Sequence, residues 1–129
     1  MSRIFRDVEL AYLTESKQQL ARIATVGRNG LPHVVPTGFR YNPEADAIDI
    51  GGHQLERTKK YRDAAHTGVA ALVIDDVVPP WYPRGIEIRG RAEIITEPEV
   101  IVRVRPERII TWGLDGGEIG TRHGRNVEN

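Results

Sequence analysis

The sequence predicts a mainly β fold: an antiparallel barrel of six short strands with peripheral helices, built as one domain. Three observations lead there. Turn signals separate short apolar runs, and Gly27-Arg28-Asn29-Gly30 is the strongest of them. The run from Gly85 to Ile95 alternates without a break, with Ile86, Ile88, Gly90, Ala92 and Ile94 on one side and Glu87, Arg89, Arg91 and Glu93 on the other. The length of 129 residues gives room for one ordinary core and little more.

Taken in order, Asp7 is placed to cap a short amphipathic helix carrying Val8, Ala11 and Leu13, which fades around Ser16 to Gln19. Leu20 to Val26 reads as a strand leading into the Asn-Gly turn. The returning strand, His33 to Tyr41, contains Pro36 and Gly38, so one of its sides is an edge, a bulge or a gap facing a ligand. Asn42-Pro43-Glu44-Ala45-Asp46 turns the chain into a third strand, Ala47 to Gly51. Between Gln54 and Thr67 the apolar spacing becomes helical, and Gly68 is a natural stop. Val69 to Ile74 is a compact buried strand, and Asp75-Asp76 ends it. Pro79-Pro80-Trp81-Tyr82-Pro83 reads as a stiff aromatic loop within residues 77–84 that continues neither helix nor sheet. A helical turn follows Glu97-Pro98, and Arg108 to Trp112 forms the last strand. The domain thus covers residues 1–114. Residues 115–129 are rich in glycine and charge and are expected to be a mobile tail.

Composition removes several function classes. With no cysteine, thiolate catalysis, cysteine-ligated zinc and iron–sulfur clusters are excluded together. Eighteen basic against eighteen acidic residues leave no basic excess, which argues against a nucleic-acid partner. The apolar runs are too short to span a bilayer and the first residues lack a signal-peptide core, so no membrane partner and a cytoplasmic location are expected. The serines, Ser2 and Ser16, stand in no nucleophile motif. His33, His53, His66 and His123 are scattered without metal-ligand spacing, so no metal is expected. The glycines form no dinucleotide-binding fingerprint.

What remains is the basic cluster Arg57, Thr58, Lys59, Lys60 and Arg62, shortly after Gly51-Gly52. At a helix entry, free backbone N–H groups, the positive end of the dipole and these side chains would cradle a phosphate. The alternative is a solvated helix face with a Glu56–Lys60 ion pair. Arg89 or Arg91 would approach an anionic ligand if another subunit covered their face. Trp81, Tyr82 and Trp112 suit either stacking on a planar ring or packing at a dimer interface.

The blocks from Ala21 to Pro36, from Ile48 to His53 and from Arg57 to Asp63 resemble the opening hairpin, strand and phosphate-binding helix of the pyridoxamine 5′-phosphate oxidase-like split β-barrel proteins. Asp75-Asp76 to Trp81, Arg84 to Glu93 and Pro106 to Gly113 are closer still to a branch of F420-dependent (deazaflavin) oxidoreductases that includes reductases of tetracycline biosynthesis. This resemblance covers about residues 5 to 114. It implies an FMN-binding-type split barrel and a homodimer with cofactor sites at the subunit interface. It assigns Arg57, Thr58, Lys59 and Lys60 to the cofactor phosphate. Thr25, Val26, Pro36 and Thr37 would run along the ring system, with Trp112 added from the final strand. The implied activity is hydride transfer between reduced F420 and an activated C=C or C=O bond of a small planar substrate. FMN is the alternative cofactor, and a flavin, F420 or haem carrier is the alternative role. A carboxy-terminal substrate-binding extension is missing, so vitamin B6 oxidation is not expected.

Overall fold

The computed structural model describes residues 2–15 and 19–128. It contains eight strands and two α-helices: α1 (Asp7–Leu13), β1 (Ala21–Val26), β2 (Pro32–Thr37), β3 (Arg40–Asn42), β4 (Ala47–Ile50), α2 (Lys59–Thr67), β5 (Val69–Val78), β6 (Tyr82–Ile95), β7 (Ile101–Trp112) and β8 (Arg122–Asn126). A single 3-10 turn, Leu55–Arg57, precedes α2. All strand pairs are antiparallel, in the order β2-β1-β5-β6-β7-β4-β3, with β8 added to β7.

The strand count differs from six for two physical reasons. Gly38 and Phe39 interrupt the proline-containing strand expected over residues 33–41, leaving β2 paired to β1 and β3 paired to β4. The expected mobile tail instead supplies β8, which pairs Arg122 to Asn126 with Trp112 to Arg108. Its short apolar content is offset by backbone pairing and by an ion pair. Arg125 reaches the carboxylate of Glu9 on α1 with two 2.7 Å hydrogen bonds and also donates to the Ile4 carbonyl. Glu9 is fully buried.

Other elements are longer or shorter than their local signals. Asp75 and Asp76 lie inside β5, and the expected aromatic loop shrinks to a hairpin tip at residues 79–81 because β6 pairs with β5 as far as Val78–Tyr82. Glu97, Pro98 and Glu99 make bends and β7 begins at Ile101, so no helical turn follows Glu97-Pro98. In α1 the cap is Arg6, whose backbone N–H donates to Glu9 at 2.9 Å, and Asp7 is the first helical residue. The helix ends at Leu13; most of its expected fading segment, 16–18, lies outside the described residues. In the Gly27–Gly30 turn only Gly30 takes a positive φ (75°), and its N–H donates to the Gly27 carbonyl at 3.0 Å.

The core is built largely from isoleucine. Ile23, Ile48, Ile50, Ile74, Ile86, Ile88 and Ile109 are fully buried with Leu72, Val102 and Val104. β-branched side chains suit a pleated buried face, and alternation places them on one side of every long strand. The β6–β7 register shifts between Arg89 and Gly90, so that Arg89 faces Arg108 while Gly90 faces Pro106 and Glu107 is the extra residue. This bulge keeps Pro106 and Ile109 both buried although they stand an odd number of positions, three, apart. It also turns Arg108 to the face opposite the core.

Candidate functional site

That opposite face carries a cavity of about 510 Å³, lined by residues of β1, β2, β5, β6, β7 and β8. Its floor is made of the small and β-branched side chains of Ala24 and Val26 on β1 and Val69 and Ala71 on β5, with the backbone of Gly90 on β6. Pro32 closes one end; Arg89, Glu107, Arg108 and Asn126 form the polar wall. A flat strip of small residues leaves room for a planar ring to lie on the sheet.

Thr25 lines the same cavity by position, but its side chain turns into the protein, where Oγ1 donates to the buried carboxylate of Asp63 at 2.9 Å. Asp63 also accepts from Lys59 Nζ at 2.9 Å. Burial would raise the Asp63 pKa, but the Lys59 and Thr25 hydrogen bonds, aided by the charges of Lys59 and His33, hold it below the ordinary carboxylate value. The triad ties α2 to the end of β1. Gly27 sits directly beneath it: a Cβ there would lie 2.6 Å from Asp63 Oδ1 and 3.3 Å from Lys59 Nζ. The Lys59 ammonium is therefore held next to the chain that leaves Val26 and the cavity.

The helix entry differs from the sequence reading. Leu55 to Arg57 form the 3-10 turn and Thr58 is the cap of α2, its hydroxyl accepting from Tyr61 N–H at 3.3 Å and donating to the Leu55 carbonyl at 2.6 Å. The i,i+4 ion pair is Lys59–Asp63, not Glu56–Lys60. Arg57 donates to Gln54 Oε1 at 3.4 Å, and Arg62 to the Arg57 carbonyl at 3.0 Å. No carboxylate partner holds Arg57, Lys60 or Arg62 among the described residues. Their charges stand at the positive end of α2, an arrangement that fits a phosphate.

The structure brings Val26, Thr25 and Lys59 together but leaves the other expected residues apart within one chain. Pro36 and Thr37 pair with Arg22 and Ala21, at the far end of the β1–β2 hairpin from Thr25. Thr37 is buried and Pro36 exposed. Trp112 faces Gly85, which pairs with Asp75, whereas the cavity row contains Ala70. Five residues of β5 separate these rows, about 16 Å at about 3.3 Å per residue. There the indole rests on Gly85, where a Cβ would approach its Cζ2 to 2.6 Å, and the Arg122 guanidinium lies 5.0 Å from the ring centre. Trp81 is 65% exposed at the hairpin tip, and Tyr82 donates to the Gly117 carbonyl at 3.0 Å.

Arg108, Asn126, Ala24, Val69 and Ala71 are cavity residues that the sequence reading did not single out. Pro106 was the one available signal for Arg108, because proline inside a strand marks a bulge that reverses the facing of the residues after it. Among the described residues, no group of three or more His, Asp or Glu is arranged to hold a metal ion, and no helix is long and apolar enough to cross a membrane.

Comparisons with known proteins agree with this architecture. A family model described as pyridoxamine 5′-phosphate oxidase matches residues 9–127. The 5a,11a-dehydrotetracycline/5a,11a-dehydrooxytetracycline reductase of Streptomyces rimosus is 33% identical over 95% of this chain and 93% of its own length. Among solved structures, an F420 reductase superposes with a TM-score of 0.58 at 22% identity, covering 77% of this chain and 94% of that one. A heme binding protein from Mycobacterium smegmatis superposes with a TM-score of 0.69 at 15% identity, over 95% of this chain but only 60% of its own. At such identities these two structures establish the shared fold. With the family match spanning all eight of its strands, the chain belongs to the pyridoxamine 5′-phosphate oxidase family of split β-barrels, in the branch that contains the tetracycline reductase.

Proposed function

We propose that this protein is a cytoplasmic, homodimeric F420-dependent reductase that delivers hydride to an activated C=C or C=O bond of a planar organic acceptor. The observation that carries the reading is the apolar cavity of about 510 Å³ over a floor of alanine, glycine and valine, in a chain 33% identical to a reductase of a polycyclic substrate. Bound there, a reduced deazaflavin supplies the hydride. The protein's residues do the rest. The Ala24, Val26, Val69 and Ala71 floor excludes water and keeps a ring flat. Arg57 and Lys60 attract the anionic part of the cofactor at the α2 entry, and the Thr25–Asp63–Lys59 triad fixes α2 against β1. A second copy laid over the exposed face would complete the walls and bring its Trp112 within reach of the site.

Parallel titrations with F420, FMN and haem, read by absorbance and fluorescence, test the cofactor. F420 is expected to bind most tightly, and single-turnover mixing of the reduced complex with 5a,11a-dehydrotetracycline is expected to reoxidise it. Tight FMN binding with no F420 affinity overturns the cofactor assignment, and an unchanged spectrum across a broad acceptor panel favours a carrier. The double variant Arg57→Ala/Lys60→Ala is expected to weaken F420 binding by about a hundredfold, the loss of two charge-assisted contacts, with an unchanged melting temperature. Unchanged affinity would return the cluster to ordinary solvated surface.

A further inference from the structure

The charges on the cavity wall are not equivalent. Arg89 is forked onto Glu87, with Nε to Oε2 at 2.7 Å, and Glu107 is paired to Arg91 at 3.3 Å. Arg108, half-buried in the same wall, has no carboxylate partner among the described residues. Its only side-chain hydrogen bond there is from Nη1 to Asn126 Oδ1 at 2.9 Å, which leaves most of its five donors unused. On the neighbouring strand the guanidinium lies over Gly124, where a Cβ would come within 2.8 Å of Arg108 Nη2. The wall thus holds one uncompensated, pre-oriented cation beside an apolar floor.

We infer that Arg108, oriented by Asn126 and Gly124 of β8, selects planar ligands that carry an ionised oxygen. An enolate, phenolate, carboxylate or sulfonate would meet the guanidinium fork while its rings cover the Ala24–Ala71 strip. The inference rests on the reading of this cavity as the place where a planar ring binds. It gives the carboxy-terminal strand a role in recognition. The ionised oxygen belongs either to the acceptor or to the cofactor ring, and both present the same chemistry to Arg108.

The test uses two anthraquinone probes on the full-length protein, followed by calorimetry. Anthraquinone-2-sulfonate is expected to bind about tenfold more tightly than neutral 2-(hydroxymethyl)anthraquinone, as one charge-assisted contact in a partly desolvated site implies. Arg108→Gln is expected to bring the ratio to about one. So is Asn126→Asp, which neutralises Arg108 at an exposed position without a burden on folding. Equal affinities in the wild type, a preference that survives in both variants, or no binding of either probe overturns the inference. Repeating the titration with F420 in saturating amount separates the sources: charge-selective binding that persists assigns Arg108 to the acceptor, and displacement assigns it to the cofactor ring. A protein that failed to bind F420 would still show or lack the probe preference, so the two readings fail separately.

Discussion

Gly90→Ala is expected to cost more stability than any other single methyl group added to this protein. Gly90 stands at the β6–β7 bulge, and its missing side chain is the space through which the Arg105 carbonyl passes. A Cβ there would collide with that carbonyl oxygen and come within 2.8 Å and 3.1 Å of Arg105 C and Glu107 N. All three are backbone atoms in the longest paired segment of the sheet, so no rotamer change relieves the clash. Relief requires opening the bulge, which would also turn Arg108 and the cavity wall. The expected loss is about 4 kcal/mol, at the upper end for a point substitution, read as a lowered denaturation midpoint. A midpoint within error of the wild type would mean that the bulge is not held as described. Gly38→Ala, where a Cβ meets nothing within 4 Å, is the matched control.

Glu9→Ala is the second large effect. Glu9 is fully buried, yet it accepts from the Arg6 backbone N–H at 2.9 Å and the Arg6 Nε at 3.2 Å, and from the Arg125 fork. Removing the carboxylate leaves Arg125 facing α1 without a counter-charge. Because Arg125 keeps partial contact with solvent, the expected loss is the lower figure for a broken buried pair, about 3 kcal/mol, or roughly 10 °C in melting temperature. Arg125 also loses the anchor that holds β8, so hydrogen exchange should accelerate at residues 122–126 before the rest of the sheet. Uniform protection across β7 and β8 in the variant would contradict that link.

The same pair sets an acid limit. Burial alone would raise the Glu9 pKa, but the Arg125 hydrogen bonds, the Arg6 backbone donor and both guanidinium charges outweigh it and hold it below the ordinary value. Asp46, bonded by Ser2 and Tyr41, and Asp63 are shifted the same way. A carboxylate with a lowered folded-state pKa binds its proton more weakly than in the unfolded chain. Its contribution is thus complete above the unfolded pKa of about 4 and disappears as pH falls through the folded value. Thermal stability should be level from neutrality down to about pH 5 and fall steeply below pH 4. A flatter acid limb in Glu9→Ala would identify this carboxylate as one of the groups responsible.

Strong local signals carried most of the fold. The alternation of β6 was legible because the same residues recur every second position with opposite character, and Ile86, Ile88 and Ala92 are buried as that pattern requires. The helix ending at Gly68 was legible for a similar reason, since Gly68 takes a φ of 71° that terminates α2. β8 was not legible. Arg122 to Asn126 has no apolar periodicity, and the carboxylate that anchors it, Glu9 of α1, lies 116 residues away from Arg125 in sequence. Pairing also extended β5 through Asp75-Asp76, because Tyr12 and Arg84 bond Asp76 from outside the strand. In the candidate site the sequence located the basic cluster but not its division of labour. Lys59 is taken up by Asp63 four residues on, while Asp63 also accepts from Thr25, a contact made across 38 residues that no spacing rule anticipates.

The two prolines of β2 bear on how copies of this molecule meet. β2 ends one side of the sheet, and neither Pro32 nor Pro36 has an N–H to offer a further strand. A neighbour that tried to extend the ladder along that margin would find donors missing at every fourth residue. Fibre-like stacking along that margin is thereby discouraged.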